Sequence, residues 1–383
     1  MNINQLKYFA SINEFRIDNH KNFKRTPPYY FDSLRHAFES FFKTFQTNST
    51  YIDYVDDFQS VSNLKYNDDE NIVKTIIFFE RFFELYYKDI LRRVDKNLVL
   101  QRNKQERKIE NLVSEIEYKV FKPKKHKTEK LRCSFRVILN RFYQLIKLTE
   151  HEKPHSPLVK KFNKLLGKYH FLDNEQHEST MFLLSWLRDK ILHNGSLVLN
   201  LWFLDYFVTQ RVVPLIYKIR QVEKERIRES LFYLQTETGI DILQKLHKTK
   251  LKLNYGENEI KLIKLELLKI GHLKEIGRGS LNRHLYARES NHSDYEYNYH
   301  DVKGRGIRFA KAEQKHKHFK QINECICCGV KSLVKYSFTS LFLNNPILIA
   351  WVKCYTCDYY LKNDSADPYQ FNLCQSPLFD DKT

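Results

Sequence analysis

Two C-x2-C pairs near the C-terminus, Cys325-Ile326-Cys327-Cys328 and Cys354-Tyr355-Thr356-Cys357, constrain this chain more than any other feature. Each pair is a tight turn that presents two thiols, and two such turns supply the four thiolates of a tetrahedral zinc site. The β-prone runs 336–338, 347–352 and 359–361 lie around them, the pattern of a zinc ribbon. Four protein ligands leave no position for water, so the expected Zn2+ is structural, and such a small module draws much of its folding energy from the metal. Cys325, Cys328, Cys354 and Cys357 are the expected ligands. Cys327 can replace Cys325 or Cys328, although the C-x2-C spacing followed by Gly329 favours the outer two. A dithiol redox pair and unliganded cysteines are the alternatives; no βαβ pattern surrounds either pair to favour redox work. Cys133, in a predicted helix, and Cys374, in the tail, read as unliganded thiols.

Ahead of the ribbon the pattern is helical. Apolar residues recur at helical spacing over 31–45, 70–100, 104–120, 129–148, 175–193 and 197–220, with Phe78, Phe79, Phe82 and Phe83 in the stripes, where aromatics serve a core. Stretches 223–248 and 257–273 read as charged helices with thinner stripes. Residues 277–299, rich in Gly, Asn, Ser and His, read as a boundary, and the basic run 311–320 as a linker or short helix. His316 and His318 in that run lack a Cys or carboxylate partner at ligand spacing. The fold class is therefore mainly α: an N-terminal extension (1–30), a helical bundle (31–220), a charged helical or linker region (221–319), a small β zinc ribbon (320–363) and a loosely ordered acidic tail (364–383).

The 383-residue chain carries 64 Lys and Arg against 46 Asp and Glu, a net charge of +18, together with 24 Tyr and 28 Phe. An excess of this sign favours a polyanionic partner, and aromatics can stack on bases, so nucleic acid is the first candidate. Biased codon usage produces a similar composition. Lys122, Lys124, Lys125 and Lys127 form a basic loop that can hold an RNA backbone or merely connect two helices. Lys331, Lys335 and Lys353 make a nucleic-acid face on the ribbon conceivable. The apolar runs 197–217 and 338–352 are broken by Asp205 and Arg211, and by Asn344-Asn345-Pro346, so no membrane span is expected. The opening residues are polar and carry no secretory signal, and a cytoplasmic location with reduced thiols is expected.

Residues 180–193 hold the most chemical pattern outside the ribbon. Leu183, Leu184, Leu187 and Ile191 form an apolar stripe, with Ser185, Arg188, Asp189 and His193 on the opposite arc. Asn194-Gly195 suits a helix end, and Ser196 can cap the next helix. His193 thus sits at a helix C-terminus, where a cationic imidazole is favoured. A second Arg-to-His spacing, Arg278 to His284, passes through Gly279-Ser280 and reads as loop. The bland reading of Arg188 and His193 is a solvated helix face.

Arg188, a polar Asp189, three more residues and His193, late in a long helix of an all-helical domain, resemble the motif of the HEPN superfamily. The resemblance covers roughly residues 31–220 and implies a HEPN-like bundle there, with metal-independent RNA cleavage at a site built from two motifs. Arg188 and His193 of one chain diverge by ~140° on an ideal helix, so with one motif per chain a homodimer is expected. The resemblance further implies His193 as acid and base, Arg188 on the phosphate and Asp189 as orienting group, in a prokaryotic antiviral-defence or toxin effector. Some HEPN toxins pair with an antitoxin and carry a Tyr two positions after the His; here that position is Gly195. The rival readings are a non-enzymatic nucleic-acid binder and a HEPN-like dimerisation or adaptor scaffold.

Overall fold

Phenylalanine and tyrosine at helical spacing build the core between the first two helices. In the computed structural model, which describes residues 30–46, 69–101, 108–122, 124, 133–150, 156–172, 174–194, 201–224, 231–252, 259–288, 295–340 and 347–379, helix α1 (Tyr30–Gln46) lies along α2 (Asp69–Val94). Phe38, Phe41 and Phe42 of α1 and Phe79, Phe82 and Phe83 of α2 are all fully buried in one core. Phe38 meets Phe79 edge-on at 5.3 Å, and Tyr87 carries the aromatic core on to Phe142 at 4.8 Å. Such contacts add about 0.5–1.5 kcal/mol each to plain burial.

Helices α3 (Ile109–Glu117), α4 (Phe135–Glu150), α5 (Pro157–Leu166) and α6 (Glu175–Asn194) complete the bundle around this pair. Helix α5 has no counterpart among the predicted elements. It starts where Ser156 accepts the Val159 N–H at 3.1 Å, and Pro157 occupies the first turn, where no N–H is needed. Cys133 precedes α4 rather than lying within a helix. The predicted helix 197–220 is two helices, α7 (Leu201–Tyr206) and α8 (Val213–Val222), joined by a π-helical turn over Phe207–Val212. Pro214 lacks the N–H that would meet the Gln210 carbonyl, and the wider turn lies just before it.

The region from 223 to 299 departs most from expectation. Of the predicted helix 223–248, the described residues contain a 3-10 turn at Phe232–Leu234 and a short α9 (Ile242–His247), capped by Asp241 through the Gln244 N–H at 2.9 Å. The predicted helix 257–273 instead continues as α10 (Ile260–Arg288), through much of the stretch read as a boundary; the spacing from Arg278 to His284 is helical, not loop. Its glycines are contact points. A Cβ on Gly277 would meet the Phe42 ring at 2.5 Å, and one on Gly279 would meet Cys327 Sγ at 3.0 Å. Two residues apart on a helix means ~200°, so α10 passes between the bundle and the ribbon with a glycine facing each. Gly277→Ala should therefore lower stability by about 1–3 kcal/mol in urea unfolding, because Phe42 is fully buried and has little room to yield; an unchanged midpoint would contradict this close approach.

Charges on the same helix are buried in pairs. Lys274 and Asp205 of α7 form an ion pair, both fully buried. Glu275 accepts from Arg278 at 2.7 and 2.9 Å, while Arg278 also donates to the Asp358 carbonyl and Glu275 accepts the Tyr360 N–H at 2.7 Å. Removing one partner of such a pair leaves an uncompensated buried charge.

After α11 (Tyr295–Ala312) come β1 (Phe319–Glu324), β2 (Lys331–Ser340), β3 (Ile347–Cys354) and β4 (Tyr360–Lys362), an antiparallel sheet in sequence order. The three β-prone runs fall within or against β2, β3 and β4. Strand β1 has no predicted counterpart, since its edge position leaves Phe-Lys-Gln-Ile-Asn-Glu with no clean alternation. The inner face buries Leu333, Val352 and Leu361; on the other face Ala310 of α11 covers Val334 and Tyr336. The described part of the tail, to residue 379, packs against the fold, contrary to the expectation of a loose end. Asp367 accepts the N–H groups of Tyr369, Leu378 and Phe379 at 3.0, 2.6 and 3.1 Å, which folds the tail back and buries Leu373 and Leu378. Among the described residues no helix is long and apolar enough to cross a membrane.

Candidate functional site

The turn after β1 and the turn after β3 bring four sulfurs together. The Sγ atoms of Cys325, Cys328, Cys354 and Cys357 all lie within 4.8 Å of one another, and all four residues are buried. Cys325 to Cys357 is 3.5 Å and Cys328 to Cys354 is 3.7 Å. Zn–S bonds of about 2.3 Å in a tetrahedron require edges near ~3.8 Å, so the donor set fits Zn2+. The two turns are built alike. In the first, the Cys327 N–H points at Cys325 Sγ (3.4 Å) and Gly329, at φ +65, returns its N–H to the Cys325 carbonyl at 2.8 Å. In the second, the Thr356 N–H points at Cys354 Sγ (3.4 Å) and Asp358, at φ +60, returns its N–H to the Cys354 carbonyl at 3.0 Å. The N–H groups aimed at sulfur stabilise charge there.

Burial opposes ionisation of Cys325, but contacts from Cys327, Cys328, Cys354 and Cys357 outweigh it and hold that thiol well below its usual range, while burial pushes Cys357 up. A cation supplies what this crowd of sulfurs lacks. Cys327 lies outside the four-sulfur set, with its side chain against Gly279. No described cysteine is in a disulfide.

Helix α6 places the second constellation. Arg188 Nη1 donates to Asp189 Oδ1 at 2.9 Å, with both side chains about two-fifths exposed (38% and 41%). His193 is exposed in the last turn. The stripe differs from the expected one: Met181, Leu184 and Leu187 are buried, Ser185 is buried among them instead of standing on the polar arc, and Leu183 is only half-buried. Meanwhile Trp186 is 50% exposed and Leu192 51%. Lys190 Nζ lies 5.6 Å from the Trp186 ring centroid. Gly195 and Ser196 fall outside the described residues.

Sequence reasoning missed Glu80. It sits mid-way along the aromatic run of α2, buried, with the charges of Arg188 and Asp189 acting on it from α6. Burial chiefly, then the neighbouring Glu84 carboxylate, raises its pKa from the ordinary 4.5 to about 7, with Arg188 pulling the other way. The available signal was a carboxylate flanked by Phe78, Phe79, Phe82 and Phe83. A carboxyl whose folded pKa is raised costs nothing in acid, where it is neutral in both states. As pH climbs from 4.5 toward 7 the unfolded chain ionises first and stability falls, levelling off above the folded value. The total is on the order of 3 kcal/mol at ~1.4 kcal/mol per unit. Glu80→Gln should flatten this slope in urea unfolding between acid and pH ~8; a slope equal to wild type would refute the assignment.

Of the basic loop, Lys122 and Lys124 are exposed, while Lys125 and Lys127 lie outside the described residues. On the ribbon Lys331 is exposed and Lys353 half-buried, but Lys335 is buried and offers nothing to a ligand. Comparison of the chain with protein-family models, with curated proteins and with solved structures finds no match.

Proposed function

We propose that the protein is a metal-independent endoribonuclease of the HEPN type, acting as a homodimer, with a zinc-stabilised ribbon at its C-terminal end. The observation that carries this reading is the exposure of Trp186 and Leu192 on the same helix as the paired Arg188 and Asp189 and the exposed His193. On an ideal helix Leu192 lies ~40° from Arg188 and Trp186 ~20° from His193, so each polar group has an apolar neighbour at the surface. A second copy of α6 on a twofold axis buries both apolar side chains and surrounds one groove with two guanidiniums and two imidazoles.

In that groove one His193 takes the proton of the ribose 2'-hydroxyl as its oxygen attacks phosphorus. The other His193 protonates the departing 5'-oxygen, giving a 2',3'-cyclic phosphate and a 5'-hydroxyl end. Arg188 meets the negative charge that develops on the phosphate, and Asp189 fixes its guanidinium. DNA lacks the nucleophile, so the substrate is RNA. By the HEPN resemblance the protein belongs among prokaryotic antiviral-defence or toxin effectors in the cytoplasm, where an antitoxin or other regulatory partner is a further expectation. The test is incubation of wild type and His193→Ala with single-stranded and structured RNA in EDTA, with zinc content checked. Cleavage by the wild type alone, with binding kept by the variant, is expected. Binding without cleavage by either favours the non-enzymatic binder, and neither activity favours the adaptor.

A further inference from the structure

The β3–β4 half of the ribbon's outer face carries a pattern the ribonuclease reading does not use. In the antiparallel register Trp351 stands opposite Lys362, and Lys353 stands opposite Tyr360. Directly opposed residues share a face, so two aromatics and two lysines form a checkerboard across two strands.

Trp351 is stacked on the buried Tyr336 ring at 5.0 Å and 10°, which fixes its plane, and Tyr360 is 37% exposed. Lys362 is exposed, and Lys353 Nζ lies 5.3 Å from the half-buried Tyr355 ring. At the rim stand the exposed Lys317 and His316, with the His318 ring 6.2 Å from Trp351. The nearby acids are turned to other work: Glu313 accepts from Tyr336 Oη at 2.8 Å, and Asp358 lies 3.4 Å from Arg278.

We infer that this face holds a single strand of RNA, with bases stacking on Trp351 and Tyr360 and phosphates meeting Lys353, Lys362 and Lys317. Charge complementarity selects the occupant: the cations are interleaved with aromatic rings, and a single strand presents both unpaired bases and phosphates at that scale. The choice of RNA over DNA rests on the ribonuclease reading, and the face would deliver substrate to it.

The experiment uses full-length, zinc-loaded His193→Ala protein, so that binding is read without cleavage, and a labelled oligouridine strand followed by fluorescence anisotropy. Lys353→Glu with Lys362→Glu should weaken binding by about tenfold or more, and Tyr360→Ser, on the edge strand just past the second cysteine turn, by several-fold. Tryptophan emission should be quenched by the RNA, and Trp351→Phe should remove most of that quenching. Unchanged affinity in both surface variants, with zinc content and far-UV circular dichroism intact, would overturn the proposal, as would a preference for duplex RNA or for the matching DNA strand. Wild-type cleavage with no effect of these variants on binding sinks the ribbon face alone. Loss of binding in the variants, with no cleavage by wild type, sinks the ribonuclease reading alone.

Discussion

Cys354→Ser is expected to cost the protein its bound zinc and, with it, the folded state of the four-stranded sheet. Wild type should hold one zinc per chain by elemental analysis, and the variant little. The expected size of the effect follows from what the metal supplies: about 10–16 kcal/mol of apparent binding energy for a structural site of this kind, against a sheet whose inner face buries only a short row of side chains, including Leu333, Val352 and Leu361. The loss should also reach the helices. The four cysteines belong to the same buried cluster as Phe42 and Ile276, and Arg278 and Glu275 of α10 are satisfied in part by Asp358 and Tyr360, at the edge of the second cysteine turn. Unfolding the ribbon strips those additional hydrogen-bond partners and their cover from the Arg278–Glu275 pair, which stays joined on α10. A lower urea midpoint for the helical signal should therefore accompany zinc loss. Cys327→Ser and Cys374→Ser serve as controls and should keep the metal. Full zinc occupancy in Cys354→Ser, or an intact sheet by amide exchange after chelation, would count against the site.

The four-cysteine cluster was legible because its information is local. Two thiols two residues apart make a turn of known shape, and Gly329 sits where a positive φ is needed. The aromatic stripes of α1 and α2 were legible for a similar reason, since helical periodicity repeats over many turns. Helix α10 was not. Gly277 and Gly279 break helices when judged by propensity, yet here they let a helix approach Phe42 on one side and Cys327 on the other, a tertiary reason that no local window contains. Glu80 was hidden by its setting, because a charge inside an aromatic run reads as a solvated position until α6 is seen to cover it. The order of the tail was hidden too, because one side chain, Asp367, organises it through three backbone N–H groups spread over distant positions.

The second large effect is expected at His193. If it serves as base from one subunit and acid from the other, His193→Ala removes both proton transfers at once, and cleavage should fall by at least the roughly 10²–10⁴ associated with a single positioned acid or base. Arg188→Ala should cost about 10²–10³, the range for a lost donor to developing charge, while Asp189→Asn, which keeps a hydrogen-bond acceptor beside Arg188, should cost less. The same argument fixes the oligomer. A lone subunit holds a single His193, so base and acid on one phosphate require two chains. Trp186→Asp with Leu192→Asp puts charge on the exposed apolar positions without touching either proposed catalytic group, and should yield monomers by sedimentation that have lost cleavage at low protein concentration. Mixing wild type with an excess of His193→Ala should suppress cleavage beyond simple dilution, because a mixed dimer keeps only one of the two imidazoles that the two proton transfers use. A monomer that cleaves at the wild-type rate would remove the reason for pairing, and with it the mechanism.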